Sequence, residues 1–141
     1  MEMKRTGIIW LLTAFLMGAG IASCSHQEHA QPPRIELDNG KKWLVHDNMM
    51  THIVKMSEDV KAASLQTDRD YDGLNKNLLE GIDALTSDCT MKGKAHDELH
   101  KWLLPFIASA NAYKSDMSEA QKSEWFNTIE MSMNEFDQYF K

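Results

Sequence analysis

The chain has 141 residues and carries 15 Lys and Arg against 21 Asp and Glu, a formal net charge of −6. An acidic chain with scattered lysines excludes nucleic acid as a partner, because phosphate recognition calls for a basic stripe. Its length suits a single domain with a modest apolar core.

Lys4 and Arg5 precede an almost uncharged apolar run from Ile8 to Ile21. As a helix this run covers about 21 Å, short of a bilayer core of about 30 Å. It therefore predicts the apolar region of an export signal rather than a permanent membrane span. The run ends in Ile21-Ala22-Ser23-Cys24, which resembles the bacterial lipobox: an aliphatic residue, two small residues, then cysteine. The resemblance implies a diacylglycerol on the Cys24 sulfur, cleavage before Cys24 and acylation of the new amine. Several acyl chains together give stable anchoring, so the membrane is an expected partner through lipid. Ser25 stands where an aspartate, by resemblance to the enterobacterial sorting rule, signals inner-membrane retention. That implies an outer-membrane lipoprotein of the cell envelope, facing the periplasm or the surface.

Residues 1–23 thus read as the signal peptide. Their loss removes Glu2, Lys4 and Arg5, a net +1, and takes the mature protein from −6 to about −7. With Cys24 joined to lipid, Cys89 is the one free thiol. A single thiol in an oxidising compartment reads as a buried structural residue, a metal ligand or a site of intermolecular pairing.

Residues 24–42 read as lipidated cysteine and tether. His26, Gln27, Glu28, His29, Gln31, Pro32 and Pro33 are polar or helix-breaking. Ile35 to Gly40 predicts one short extended segment closing in a turn, since Asn39-Gly40 favours positive φ. Residues 43–141 then show four segments of 3.6-residue periodicity. The first starts at Asp47 or Asn48, either of which suits an N-cap, and runs to about Gln66 with the stripe Met49/Met50, Ile53, Met56, Val60, Ala63. The second runs from about Asp70 to Asp88 with Tyr71, Leu74, Leu78, Ile82, Leu85 and then Cys89. The third runs from about Ala95 to Lys114 with His96, Leu99/His100, Leu103, Ile107, Ala110, Tyr113, and holds Pro105, which predicts a bend without an end. The fourth opens on Ser118-Glu-Ala-Gln121, a capping-box pattern, with the stripe Trp125/Phe126, Ile129, Met133, Phe136, Phe140. Short connections make neighbours antiparallel, so the expected fold is all-α, an up-down-up-down four-helix bundle after a signal peptide and a short extended linker.

Chemistry concentrates in Cys89-Thr-Met91-Lys-Gly93-Lys-Ala-His96-Asp-Glu-Leu-His100. His96 and His100 share a helix face with Cβ atoms about 5–6 Å apart. Cys89 continues the inward stripe of the second helix, and Gly93 permits the sharp return that brings Cys89 and Met91 to the third helix. In an up-down bundle the same end also receives His46, Met49, Met50 and His52 from the first helix and Met131 and Met133 from the fourth. The opposite end has Met117 as its one soft side chain. Thiolate, thioether and imidazole together select copper, or zinc if the thioether stays out. Two histidines, one cysteine and one methionine are also the donor set of blue-copper centres, a likeness of ligand preference alone. The expected metal ligands are Cys89, Met91, His96 and His100, with Met49 and His52 as outer candidates. The expected use is sequestration or handover of metal, with a donor or acceptor protein as partner. Methionine stripes are ordinarily core filling, and Met56 and Met133 read that way.

The segment Cys-Thr-Met-Lys-Gly-x-Ala-His-x-x-Leu-His followed by Leu-Leu-Pro resembles a signature of small, largely uncharacterised bacterial lipoproteins. They share an Asn-Gly-x-x-Trp stretch before the first helix, matched by Asn39-Gly40-Lys41-Lys42-Trp43. The resemblance covers most of the mature chain and implies no particular activity.

Two other cofactor readings compete. A b-type cytochrome-like bundle binds haem through axial Met and His on different helices, for which Met49 or Met50 with His96 or His100 would serve; a Cys-x-x-Cys-His attachment motif is lacking. A zinc hydrolase of the His-Glu-x-x-His kind needs Glu in second place, where this chain has Asp97. No catalytic nucleophile or base stands out, so the chain reads as a non-enzyme. A cofactor-free interaction module is the remaining reading.

Overall fold

Four apolar stripes of helical period become four helices: α1 (Asp47–Ser64), α2 (Tyr71–Ser87), α3 (Lys94–Asn111) and α4 (Glu119–Tyr139). The structure is a computed structural model and describes residues 34–141. The expected export signal, the expected lipobox with Cys24 and the polar stretch through Pro33 lie outside the described residues. α1 packs on α2, α2 on α3, α3 on α4, and α4 returns to α1, which is the ring of an up-down-up-down four-helix bundle. No helix among the described residues is long and apolar enough to cross a membrane.

The ends of the helices follow local chemistry. Asp70 caps α2 by accepting the Gly73 N–H at 2.9 Å. The capping box of α4 forms in full: Ser118 Oγ accepts the Gln121 N–H, and Gln121 Oε1 accepts the Ser118 N–H. α1 departs from expectation. Its N-cap is His46, without a side-chain cap bond, and Asp47 lies in the first turn, where its charge suits the helix dipole. Asn48 is not a cap because its amide reaches across to α2, donating to the Asp88 carbonyl at 2.7 Å. α3 continues through Pro105.

The core contains the expected stripes of α1 and α4, including Met49, Met56, Ile129 and Phe136, and Leu74, Leu78, Ile82 and Leu85 of α2, whose expected end members Tyr71 and Cys89 are partly buried. Burying each such side chain contributes about 1.5–3 kcal/mol. The face of α3 is rotated from the expected one. Leu99, Trp102, Leu103, Phe106 and Ala110 point inward, and His96, His100 and Ile107 fall on the border with solvent. The two aromatics decide this. Trp102 stacks on Phe106 with centroids 5.1 Å apart and meets Phe136 at 4.8 Å, and its Nε1–H donates to the Ser132 carbonyl. Turning that much apolar area outward costs more than half-exposing two imidazoles.

Residues 34–45 bind to one end of the bundle. The expected turn forms, with Asn39 at φ 49° and Gly40 at φ 82°, closed by paired backbone bonds between Asp38 and Lys41. Ile35 on one side of it and Trp43 and Val45 on the other are buried. Trp43 and Val45 pair with the C-terminal residues: the Trp43 N–H donates to the Tyr139 carbonyl, the Lys141 N–H to the Trp43 carbonyl, and the Val45 N–H to the Lys141 carbonyl. The described part of the tether is therefore held against the bundle through Glu98. That buried carboxylate accepts the Glu36 N–H at 2.9 Å and the Lys101 ammonium at 2.8 Å, while Lys101 also donates to the Arg34 carbonyl.

Candidate metal centre

α2 ends at Ser87, and residues 88–93 carry the chain to α3. Asp88 closes α2 by donating its N–H to the Ala84 carbonyl at 3.0 Å. Cys89 follows, half-buried, its N–H directed at the Thr86 carbonyl. Gly93 sits at φ 73°, ψ −159°, a conformation essentially restricted to glycine. From there the chain enters α3, which places His96 in its first turn and His100 one turn later.

The imidazole rings of His96 and His100 lie with centroids 4.1 Å apart and planes inclined by 43°. One nitrogen from each, together with the Cys89 sulfur, forms a set of three donors within 4.8 Å of one another. Around a single ion, bonds of about 2.0–2.3 Å put donors roughly 3.3–3.8 Å apart. Side-chain rotation of about 1 Å closes that difference. The donor set fits a soft or borderline ion: a thiolate with two imidazoles suits copper or zinc and is poor for calcium or magnesium, which want oxygen. All three residues are half-buried, so the set is open to solvent on one side.

The other expected ligands stand differently. Met91 is buried within the core cluster. Met49 is fully buried, the environment of a filling side chain, as is Met56; Met133 is also in the core. Met131, which shares this end of the bundle, is 71% exposed. Met50 is partly buried against the core. His52 is engaged with Asp88, its Nε2 2.7 Å from the carboxylate, and His46 Nδ1 is 3.0 Å from Thr90 Oγ1. Within the short His-Asp-Glu-Leu-His run, Glu98 is a buried ion-pair partner. Burial pushes its carboxyl up, but the Lys101 hydrogen bond, the Glu36 amide and the charges of Lys101 and Lys94 outweigh that and hold it below the usual 4.5. Asp97 is exposed, 3.6 Å from His96 Nδ1, too long for a hydrogen bond.

Reasoning from the sequence missed the contacts that surround this loop. Asn48 and His52 are four residues apart on α1 and both engage Asp88, the neighbour of Cys89. The i,i+4 spacing was the one available signal, but their partner lies 36 to 40 residues away. Compared with protein-family models, curated proteins and solved structures, the chain matches none.

Proposed function

We propose that this protein is a lipid-anchored envelope protein that binds a soft transition metal ion, copper in preference, for sequestration or handover. Cys89, His96 and His100 are the ligands, and Met91, two residues after Cys89, is the candidate for a fourth, thioether donor. The reading is carried by one observation: a thiol and two imidazoles from a loop and a helix converge within 4.8 Å. The two imidazoles stand outside the core cluster, and the Cys89 side chain packs only at its edge. Partial exposure of all three supports exchange of the ion with another protein by stepwise replacement of ligands. The ion supplies Lewis acidity or redox capacity when bound; the chain's own part is to hold two neutral imidazoles and one thiolate at fixed spacing.

The test is direct. Full-length protein, recovered from its membrane fraction in detergent, is analysed for bound metal and titrated with Cu(I) against a competing Cu(I) chelator, beside Cys89→Ala and His96→Ala. Stoichiometric binding in the wild type, lost in both variants, is expected. Negligible binding, or binding unchanged in both variants, removes the proposal. A Soret band on addition of haem points to the cytochrome-like reading instead.

A further inference from the structure

The Cys89 loop is not free to choose its position, because α1 grips it on both sides. Asn48 Nδ2 donates to the Asp88 carbonyl at 2.7 Å, and His52 Nε2–H donates to the Asp88 carboxylate at 2.7 Å. On the far side of Cys89, His46 Nδ1 lies 3.0 Å from Thr90 Oγ1. The residue before the thiol is thus held through both main chain and side chain, and the residue after it through its hydroxyl. Met91 is buried in the core and Gly93 fixes the entry to α3. Among residues 88–93, Cys89 sits between anchored neighbours, opposite the His96–His100 pair.

We propose that Asn48 and His52 are positioning residues of the metal site: they set where the Cys89 sulfur stands relative to the two imidazoles, and His52 is not itself a ligand. This rests on the metal-binding reading above. Two physical points carry it. Both side chains converge on one residue, so together they fix the rotation as well as the translation of the peptide that leads to Cys89. The engagement also uses the Nε2 of His52, and a neutral imidazole that donates from Nε2 has only Nδ1 left for an ion. Partners outside the ligand set orient ligands and commonly account for tenfold to a hundredfold in metal affinity. A corollary is a route to release: a partner that lifts the start of α1 from Asp88 loosens the thiol while leaving both imidazoles on α3 untouched.

The experiment compares wild type, Cys89→Ala, Asn48→Ala, His52→Ala and His52→Gln as full-length proteins. Each is titrated with Cu(I) against a competing chelator, and the thermal unfolding of each metal-free form is recorded in parallel. Glutamine places an amide N–H at the same number of bonds from Cβ as Nε2, so it keeps the donor to Asp88, and its amide is a poor ligand for a soft ion. Expected are a loss of affinity of about tenfold to a hundredfold in Asn48→Ala and His52→Ala, with most of it restored in His52→Gln. A role confined to stability lowers the unfolding temperature and leaves affinity at the wild-type value, and that result overturns the proposal. Equal weakening in His52→Ala and His52→Gln makes His52 a ligand and overturns it too. Absence of binding in the wild type, or wild-type affinity in Cys89→Ala, overturns the metal-binding reading and this inference with it.

Discussion

His96 and His100 stand one turn apart on α3 with their rings 4.1 Å from centroid to centroid, on the border between the core and solvent. That border position follows from Trp102 and Phe106, whose burial fixes the rotation of α3 about its axis. A helix turned to bury the histidines would expose the two aromatics; the observed rotation leaves both imidazoles beside Cys89 and partly open to solvent.

On the proposed function, an ion bound between α3 and the loop after α2 would tie two elements together and stabilise the folded state by mass action. At a free concentration a hundred times the dissociation constant, the gain is about 2.7 kcal/mol. Calorimetry with Cu(I) is expected to show a rise in unfolding temperature for the wild type and none for His100→Ala. Equal shifts in both proteins contradict a site that includes His100.

Gly93 adopts φ 73°, ψ −159°, and a Cβ placed there meets nothing within 4 Å. The cost of Gly93→Ala is therefore backbone strain alone, about 1–3 kcal/mol. Chemical denaturation is expected to show that loss, and because the loop relaxes by moving Cys89, weaker metal binding accompanies it. A fully stable Gly93→Ala protein contradicts the strain argument.

Glu98 links the segment before α1 to α3, and its carboxyl is held below 4.5 because the opposing effect of burial is outweighed by Lys101, the Glu36 amide and Lys94. A depressed folded value means that the stabilisation is present above 4.5, the unfolded value, and is lost as pH falls through the folded value. Glu98→Gln is expected to be less stable than the wild type at neutral pH by about 1–3 kcal/mol. Below pH 4.5 the gap between the two narrows. Denaturation curves that stay parallel down to the acid limit count against the ion pair.

At the other end of the bundle, Tyr113 donates its hydroxyl to Asp72 at 2.9 Å. Burial first, then that hydrogen bond and the charges of Asp72, Asp70 and Glu119, push the phenol from 10.0 up to about 12. The raised value means the stabilisation is intact below pH 10 and fades between 10 and about 12. Spectroscopic titration is expected to show one tyrosine ionising late, and Tyr113→Phe to abolish that late step. Stability at neutral pH falls by about 1 kcal/mol in the variant. A late step that persists in Tyr113→Phe assigns it to another tyrosine.

The sequence alone determined the number of helices, the capping box at Ser118, the turn at Asn39-Gly40, and the meeting of Cys89 with His96 and His100. Each of these depends on residues within about a dozen positions of one another, where helical period, cap hydrogen bonds and a glycine-bearing loop leave few alternatives. Only the tertiary structure decided the rotation of α3, the docking of residues 34–45 and the grip of α1 on the Cys89 loop. Those depend on partners far apart along the chain, as in Trp102 with Ser132, His52 with Asp88 and Trp43 with Tyr139. Such contacts form because packing the whole core brings the elements together. Stripe reading ranks His96 beside Leu99 without weighing the apolar area of Trp102 and Phe106, and a buried Glu98 carries no periodic mark. What competes for the interior is settled by total area buried and by the hydrogen bonds available there, and both are properties of the assembled bundle.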